Sequence, residues 1–496
     1  MRVVFVLLAA LAALPAIAQT ESDHAGEAKI EPYEFRTFDG VAHKAELGHL
    51  WVKENRRRDA SRLIELAFVR LKTAAVSPRS PVVFVPGGPG IPAIGMGRVP
   101  VYYSLFEKLL AKSDVILLDQ RGIGISEPNT QCPAGDAPAA DVLATEANIR
   151  SALRAMAVSC AKAWRAKGAD LEGYSTAESA DDLDDLRMAL GAKKLSLVAH
   201  SYGTTLALEA VRRHGEHIDR VVLSGVEGTD RAVQMPLVFD FGLQRLAEMA
   251  AVPGKTRGMF LDTYGEFRQV VEQLDREPLT VRVHDEKTKQ DVDVKVGGFF
   301  VRFVVRSMLP NGRQAGRILA LVETLAHRDA TLLTAAAQDF YNTLEGGFTA
   351  MQNAIYCTDG WSDERMRLAE REAAKSTFGD APFVQLDAQT CREMGIAKRE
   401  DDSLLPFWSD VPALFVSGTL DANTPGFGAE EVAWRFARGE TLTVENGFHE
   451  TLPADEVQTI VADYLAGAEV KQRVIAFAPP RFLTVEEAKA SPQAEH

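Results

Sequence analysis

Short apolar runs without alternation recur along the chain, at Pro81 to Val85, Asp114 to Leu118, Leu195 to Val198, Arg220 to Leu223, Pro412 to Val416 and Glu440 to Val444. A strand with one wet face alternates apolar and polar residues, whereas a strand covered on both faces does not. These runs therefore predict a mostly parallel sheet with helices on both sides. Three earlier stretches, Tyr33 to Phe38, Leu47 to Val52 and Leu63 to Leu71, alternate in part and are rich in β-branched or aromatic residues, as strands are. Between two core runs, Ser175 and Glu178 have capping-box spacing. Leu183, Leu186 and Leu190 then share a helical face, Asp181, Asp182 and Asp185 are expected to stay solvated, and Gly191 ends the helix.

Gly225 to about Asp410 breaks this rhythm. Connections in α/β units take about 2 to 6 residues, so an interval of about 185 residues must hold an inserted, mainly helical subdomain that caps the sheet edge. Helical stretches such as Arg317 to His327 and the breaks at Gly254, Pro278, Pro310-Asn311-Gly312 and Gly346-Gly347 fit that reading. The expected organisation is a core built from residues 19–225 and 411–483, an insertion at 226–410 and a polar tail at 484–496.

Residues 1–18 read as a signal peptide: Met1-Arg2, an apolar run from Val3 to Leu14, and small residues at Ala16 and Ala18 before Gln19. The expected location is outside the cytoplasm, periplasmic or extracellular, with no stable membrane anchor after cleavage. An excess of acidic over basic residues, net charge −14, sets the field against phosphate backbones, so no nucleic-acid partner is expected. Export changes how four cysteines read. None has CxxC spacing, and of the three possible pairings Cys132 with Cys160 and Cys357 with Cys391 is the simplest, free buried thiols being the other reading.

The chemistry converges on Leu197-Val198-Ala199-His200-Ser201-Tyr202-Gly203, an apolar strand running into a small-x-Ser-x-Gly turn and a helix. Such a turn exposes a strained serine as a nucleophile, and small residues two before and two after it leave room for the backbone. An acid and a histidine must follow, each just past a later strand. Asp421 in Ser417-Gly418-Thr419-Leu420-Asp421 and His449 in Asn446-Gly447-Phe448-His449-Glu450 meet that requirement, whereas Asp410 precedes its strand. The backbone N–H of Tyr202 and that of Gly88 in Pro86-Gly87-Gly88-Pro89-Gly90, with Gly87 close behind, are the expected donors to a developing oxyanion. Asp119 and Arg121 read as an internal ion pair bracing the turn beneath the site, with direct substrate contact as the alternative. His214-Gly215-Glu216-His217 lacks the HExxH spacing and is expected to end the helix after Ser201, so no metal and no other cofactor are expected.

Together, Pro86 to Gly90, Asp119 to Ser126, the Ser201-Tyr202 turn, Asp421 with Thr424-Pro425, and His449 resemble the prolyl iminopeptidase and tripeptidyl aminopeptidase branch of the α/β-hydrolases. Pro86 replaces the histidine of the typical His-Gly-Gly-Pro-Gly motif, and Ala354 to Asp359 is similar to a segment of the tripeptidyl aminopeptidase-like group. The resemblance implies the α/β-hydrolase fold and an exported serine aminopeptidase acting on peptides with a free N-terminus. An exopeptidase needs carboxylates for the substrate's α-amine, and Glu227, Glu345 and Asp359 are the candidates. An esterase or lipase with the same three residues is the alternative, and a non-catalytic binding protein is less favoured because no member of the triad is missing.

Overall fold

The computed structural model describes residues 25–230, 233–251, 262–385 and 387–491. The expected leader lies outside the described residues. Ten strands form one sheet: β1 (Ala28–Arg36), β2 (Ala42–Lys53), β3 (Leu63–Leu71), β4 (Val82–Val85), β5 (Val115–Leu118), β6 (Leu195–His200), β7 (Ile218–Ser224), β10 (Ala413–Gly418), β11 (Gly439–Glu445) and β12 (Val474–Ala476). A separate antiparallel hairpin is formed by β8 (Leu279–Asp285) and β9 (Gln290–Val296). The sheet order is β1-β2-β3-β5-β4-β6-β7-β10-β11-β12. Its first three strands pair antiparallel, as does β3 with β5, and every pair from β5 onward is parallel.

The missing alternation has the expected cause. In β6, Leu197 and Ala199 pack with Leu183, Leu186 and Leu206 from the helices Thr176–Ala189 and Tyr202–His214 on one side. Val198 packs with Phe106 and Val461, from the helices Pro100–Leu110 and Asp455–Leu465, on the other. In β4, Val83 and Val85 join the first layer, while Val82 and Phe84 join the second. Each such side chain contributes about 1.5 to 3 kcal/mol by leaving water, so both faces are held strongly.

Four local expectations change. Ser175 Oγ accepts the Glu178 N–H at 3.2 Å, but the Glu178 carboxylate turns to Arg56 instead of closing a capping box. Asp182 is buried rather than solvated, held by Arg121 and Arg56. Asp119 and Arg121 do not pair with each other. Asp119 accepts the backbone N–H groups of Ile94 and Ile125, and Arg121 reaches Asp182. The polar tail begins with a helix, Val485–Ala490, whose Ala488 carbonyl accepts Arg317 Nη2 at 2.7 Å.

Between β7 and β10 the chain is mainly helical and carries the β8–β9 hairpin as well. Its core, with Phe267, Val271, Phe300, Val281 and Val294, also includes Val142, Leu143 and Ile149 from the preceding segment and Ala422 from the following one. The interval is thus continuous with its flanks. Disulfides join Cys132 to Cys160 and Cys357 to Cys391, the second tying the helix Ala350–Asp359 to the helix Ala388–Met394. Among the described residues, no helix is long and apolar enough to cross a membrane.

Candidate active site

Ser201 occupies the single position between β6 and the helix Tyr202–His214, with φ 55° and ψ −129°. That left-handed conformation strains a residue with a side chain, and the surroundings hold it in place. The Ser201 N–H donates to Ser224 O at 3.0 Å, and its carbonyl accepts from Thr204 N at 2.8 Å. The turn is tight enough that a Cβ at position 203 would stand 2.1 Å from Val85 O, so Gly203 is sterically required. On its other side lies the Pro86–Gly90 loop: a Cβ on Gly87 would come within 2.7 Å of Ser201 Cβ. Gly88 follows with φ 112°. The backbone N–H of Tyr202 opens the following helix, where the first N–H groups lack carbonyl partners in the preceding turn.

Asp421 and His449 leave the ends of β10 and β11 on loops that are hydrogen-bonded together, Leu420 N to Gly447 O at 2.8 Å and Asn446 N to Thr419 Oγ1 at 2.9 Å. The insertion contributes a third anchor, because His449 N donates to Pro310 O at 3.0 Å. His449 Nδ1 lies 2.9 Å from Asp421 Oδ2. The Asp421 carboxylate also accepts Asn423 N, Thr424 N and Thr424 Oγ1, at 2.8, 2.9 and 2.6 Å. Burial pushes Asp421 up, but the neighbouring His449 and these donors hold it below the usual carboxylate value. Burial likewise disfavours the imidazolium, yet Asp421, with Glu450 and Glu227 near it, raises His449 above the ordinary histidine value.

The His200 ring, at the residue before Ser201, has its centroid 4.7 Å from that of His449. Its Nε2 is 2.7 Å from Glu450 Oε1, and Glu450 also accepts the Tyr102 hydroxyl. Although burial opposes it, His200 and Tyr102 hold Glu450 down to about 2.

The three candidate amine ligands separate. Glu227 follows β7, and burial pushes it up to about 7 against the pull of His449 and Arg306. It lines a cleft with Gln234, Met235, Arg365 and Asn423. Asp359 ends the helix Ala350–Asp359 and accepts the Thr176 N–H at 3.1 Å and the Thr176 hydroxyl, which is 2.8 Å from the Tyr202 hydroxyl. Burial raises Asp359 to about 6. Glu345 goes elsewhere: its charged neighbours are Asp285, Lys287, Glu286 and Lys289 around the β8–β9 turn.

Sequence reasoning missed Arg306, Gln234 and Asn423. Arg306 stands in the helix Gly298–Met308, whose other charge, Arg302, pairs with Asp275, and a charge flanked by Val304, Val305 and Met308 was the signal that could have marked it. It lies within electrostatic reach of Glu227 and Tyr356, and its Nε has no hydrogen-bond partner among the described residues. His214 and His217 come together with Asp184 at the end of the helix after Ser201, their ligand atoms within 4.8 Å of one another. These atoms are already engaged: Arg187 Nε is 2.6 Å from Asp184, and His214 Nε2 is 2.8 Å from Asp181.

Residues 80–281 match a family model described as alpha/beta hydrolase fold, and residues 378–476 match one described as TAP-like protein. The chain is 24% identical to a tripeptidyl aminopeptidase of Streptomyces coelicolor over 80% of its length and 76% of that protein. It is also 24% identical to a putative hydrolase of Escherichia coli, over 78% of its length and 77% of that protein. Among solved structures it is similar to a thermophilic esterase from Thermogutta terrifontis, at 17% identity and a TM-score of 0.35, covering 84% of this chain and 98% of that one. With its mostly parallel sheet and the strained serine turn after β6, the chain has the α/β-hydrolase fold, carried by residues 80–281, and its residues 378–476 match the TAP-like type.

Proposed function

We propose that the chain is an exported serine aminopeptidase that releases N-terminal amino acids or short peptides through an acyl-enzyme. The observation that carries this reading is the Asp421–His449 pair at 2.9 Å, one ring contact away from the strained turn that bears Ser201. Ser201 Oγ attacks the scissile carbonyl carbon while His449 Nε2 takes the hydroxyl proton. The oxygen that gains the electron pair is met by the backbone N–H groups of Tyr202 and Gly88. Collapse expels the amine, which leaves with the proton from His449. Water then enters by the same general-base route and frees the acid. Asp421 holds the imidazole with its proton on Nδ1 and stabilises the imidazolium between the two transfers.

A peptidase of this kind binds a free α-ammonium. Glu227 and Asp359 are the carboxylates suited to it, since both are costly to bury charged and a cation would relieve both. Glu345, facing the β8–β9 turn, has no part in the reading. The two disulfides fit a protein that folds outside the reducing cytosol.

The test is a panel of aminoacyl, prolyl and tripeptidyl amides set against short and long acyl esters. Amides with a free N-terminus should be cleaved, and Ser201→Ala should lower kcat by about 10⁵-fold or more. Ester turnover without amide cleavage would remove the peptidase assignment, and full activity in Ser201→Ala would remove the mechanism.

A further inference from the structure

Three side chains from three separate segments form a hydrogen-bonded file that ends on His449. Arg306 Nη2 donates to Gln234 Oε1, and Gln234 Nε2 donates to Asn423 Oδ1. Asn423 Nδ2 then stands 3.4 Å from His449 Nε2, the ring nitrogen opposite the one facing Asp421. The direction of this file is dictated at its far end. A guanidinium has donors only, so Gln234 must meet it with oxygen. That turns the Gln234 amide nitrogen toward Asn423, which must answer with its own oxygen and so aims an N–H at the imidazole.

We propose that Arg306, Gln234 and Asn423 are positioning residues, a relay that holds His449 Nε2 unprotonated and ready to accept a proton in the resting enzyme. The proposal rests on the reading of His449 as the base that serves Ser201. An amide N–H opposite Nε2 suits its lone pair and repels a second N–H, so the relay and Asp421 select one tautomer from opposite sides of the ring.

The other groups facing His449 make such a counterweight useful. Asp421 after β10, Glu450 on the histidine's own loop and Glu227 after β7 all favour the imidazolium, which cannot take a proton from Ser201. His200, at the end of β6, is a further ionisable neighbour, and its Nε2 lies 2.7 Å from Glu450. The contact from Asn423 is long for a hydrogen bond, so the Ser201 hydroxyl can replace it at Nε2 when substrate arrives. Because Arg306 belongs to the insertion and His449 to the sheet, the relay makes the protonation state of the base depend on how the insertion is seated.

The test follows the His449 imidazole by ¹⁵N NMR across a pH titration in full-length Ser201→Ala protein, alone and combined with Asn423→Asp or Gln234→Glu. The acid limb of kcat/KM is measured in parallel for the two relay variants with Ser201 intact. Asn423→Asp places an acceptor and a negative charge on Nε2 and should raise the His449 midpoint by about 1 to 3 pH units. Gln234→Glu cannot donate to Asn423, whose amide then turns its oxygen to the ring; the midpoint should rise again, by less, although residue 234 does not touch His449. Both substitutions are isosteric, so each serves if the other fails to fold. Unmoved midpoints and acid limbs in both variants, with Ser201→Ala inactive, overturn the relay and leave the triad standing. A rise for Asn423→Asp alone, with Gln234→Glu folded and unshifted, overturns the relay as a unit. Activity surviving in Ser201→Ala overturns the triad and the relay with it.

Discussion

Two desolvated arginines, Arg121, which is fully buried, and Arg306, which is partly buried in the insertion, meet carboxylates in opposite ways. Arg121 is 0% exposed, and all five of its N–H groups find acceptors: Asp182 twice, and the carbonyls of Lys53, Glu54 and Gly173. Asp182 and Glu178 are shared with Arg56. Burial works against the Arg121 charge, but Asp182 outweighs it and holds the group above its usual value. Arg306 has burial as its largest influence too, yet Tyr356 and Glu227 do not compensate, and it falls below its usual value. Its Nε finds no partner among the described residues; Glu227 beside it is raised to about 7, and Asp359, a charged neighbour of Glu227, to about 6. A closed set of charges supports a fold, whereas an open set stores a cost that a ligand can remove.

Four measurements can break or sharpen that contrast. The largest effect is expected from Arg121→Met, which strands three carbonyls and leaves Asp182 to Arg56 alone. It should cost about 3 to 5 kcal/mol in urea unfolding, with KM unchanged in the folded fraction. A loss below about 1 kcal/mol would erase the distinction between the clusters. Next, Glu227→Gln should raise KM for free-amine amides by about 10- to 100-fold, the value of a charged hydrogen bond, and leave N-acylated substrates untouched. Equal effects on both substrate classes would remove Glu227 from amine binding. Arg306→Met, in contrast with Arg121→Met, should change unfolding free energy by about 1 kcal/mol or less, because it removes a charge that is incompletely paired.

The smallest effect concerns pH. Glu227 and Asp359 are raised above ordinary carboxylates, so their charge is lost as pH falls through about 7 and about 6. KM for free-amine substrates, relative to N-acylated ones, should therefore rise several-fold between about pH 8 and about pH 6. A flat ratio would mean that neither carboxylate contacts the amine. Using the ratio cancels the separate loss of His449 as a base, which acts on both substrate classes.

Much of the frame of the candidate site was readable from residue order. The non-alternating runs became the parallel strands, and Ser201 stands at the end of β6 where the small-x-Ser-x-Gly turn placed it. Asp421 and His449 could be chosen by strand position alone because each must leave the same edge of the sheet. The cysteine pairs were also the local ones. The β8–β9 hairpin went unread even though Leu279, Val281 and Val283 alternate with Thr280, Arg282 and His284, since its turn, Glu286 to Lys289, carries no glycine or proline. Charged residues fared worst. Asp119 and Arg121 are two residues apart and were matched with each other, but backbone geometry sends them to different partners, one to N–H groups and one to Asp182.

The sequence by itself determined the layered α/β core, the position of the strained serine and the order of the residues proposed to act with it. These depend on local runs, small residues at fixed offsets and the direction in which parallel strands end. Only the tertiary structure decided which desolvated charges are closed and which are open. It sent Glu345 to a distant hairpin and brought Glu227 and Asp359 toward the serine turn. It also set Arg306, Gln234 and Asn423 in a file on His449. Those pairings join positions far apart in the chain, where desolvation and hydrogen-bond direction are settled only after the helices and loops have packed.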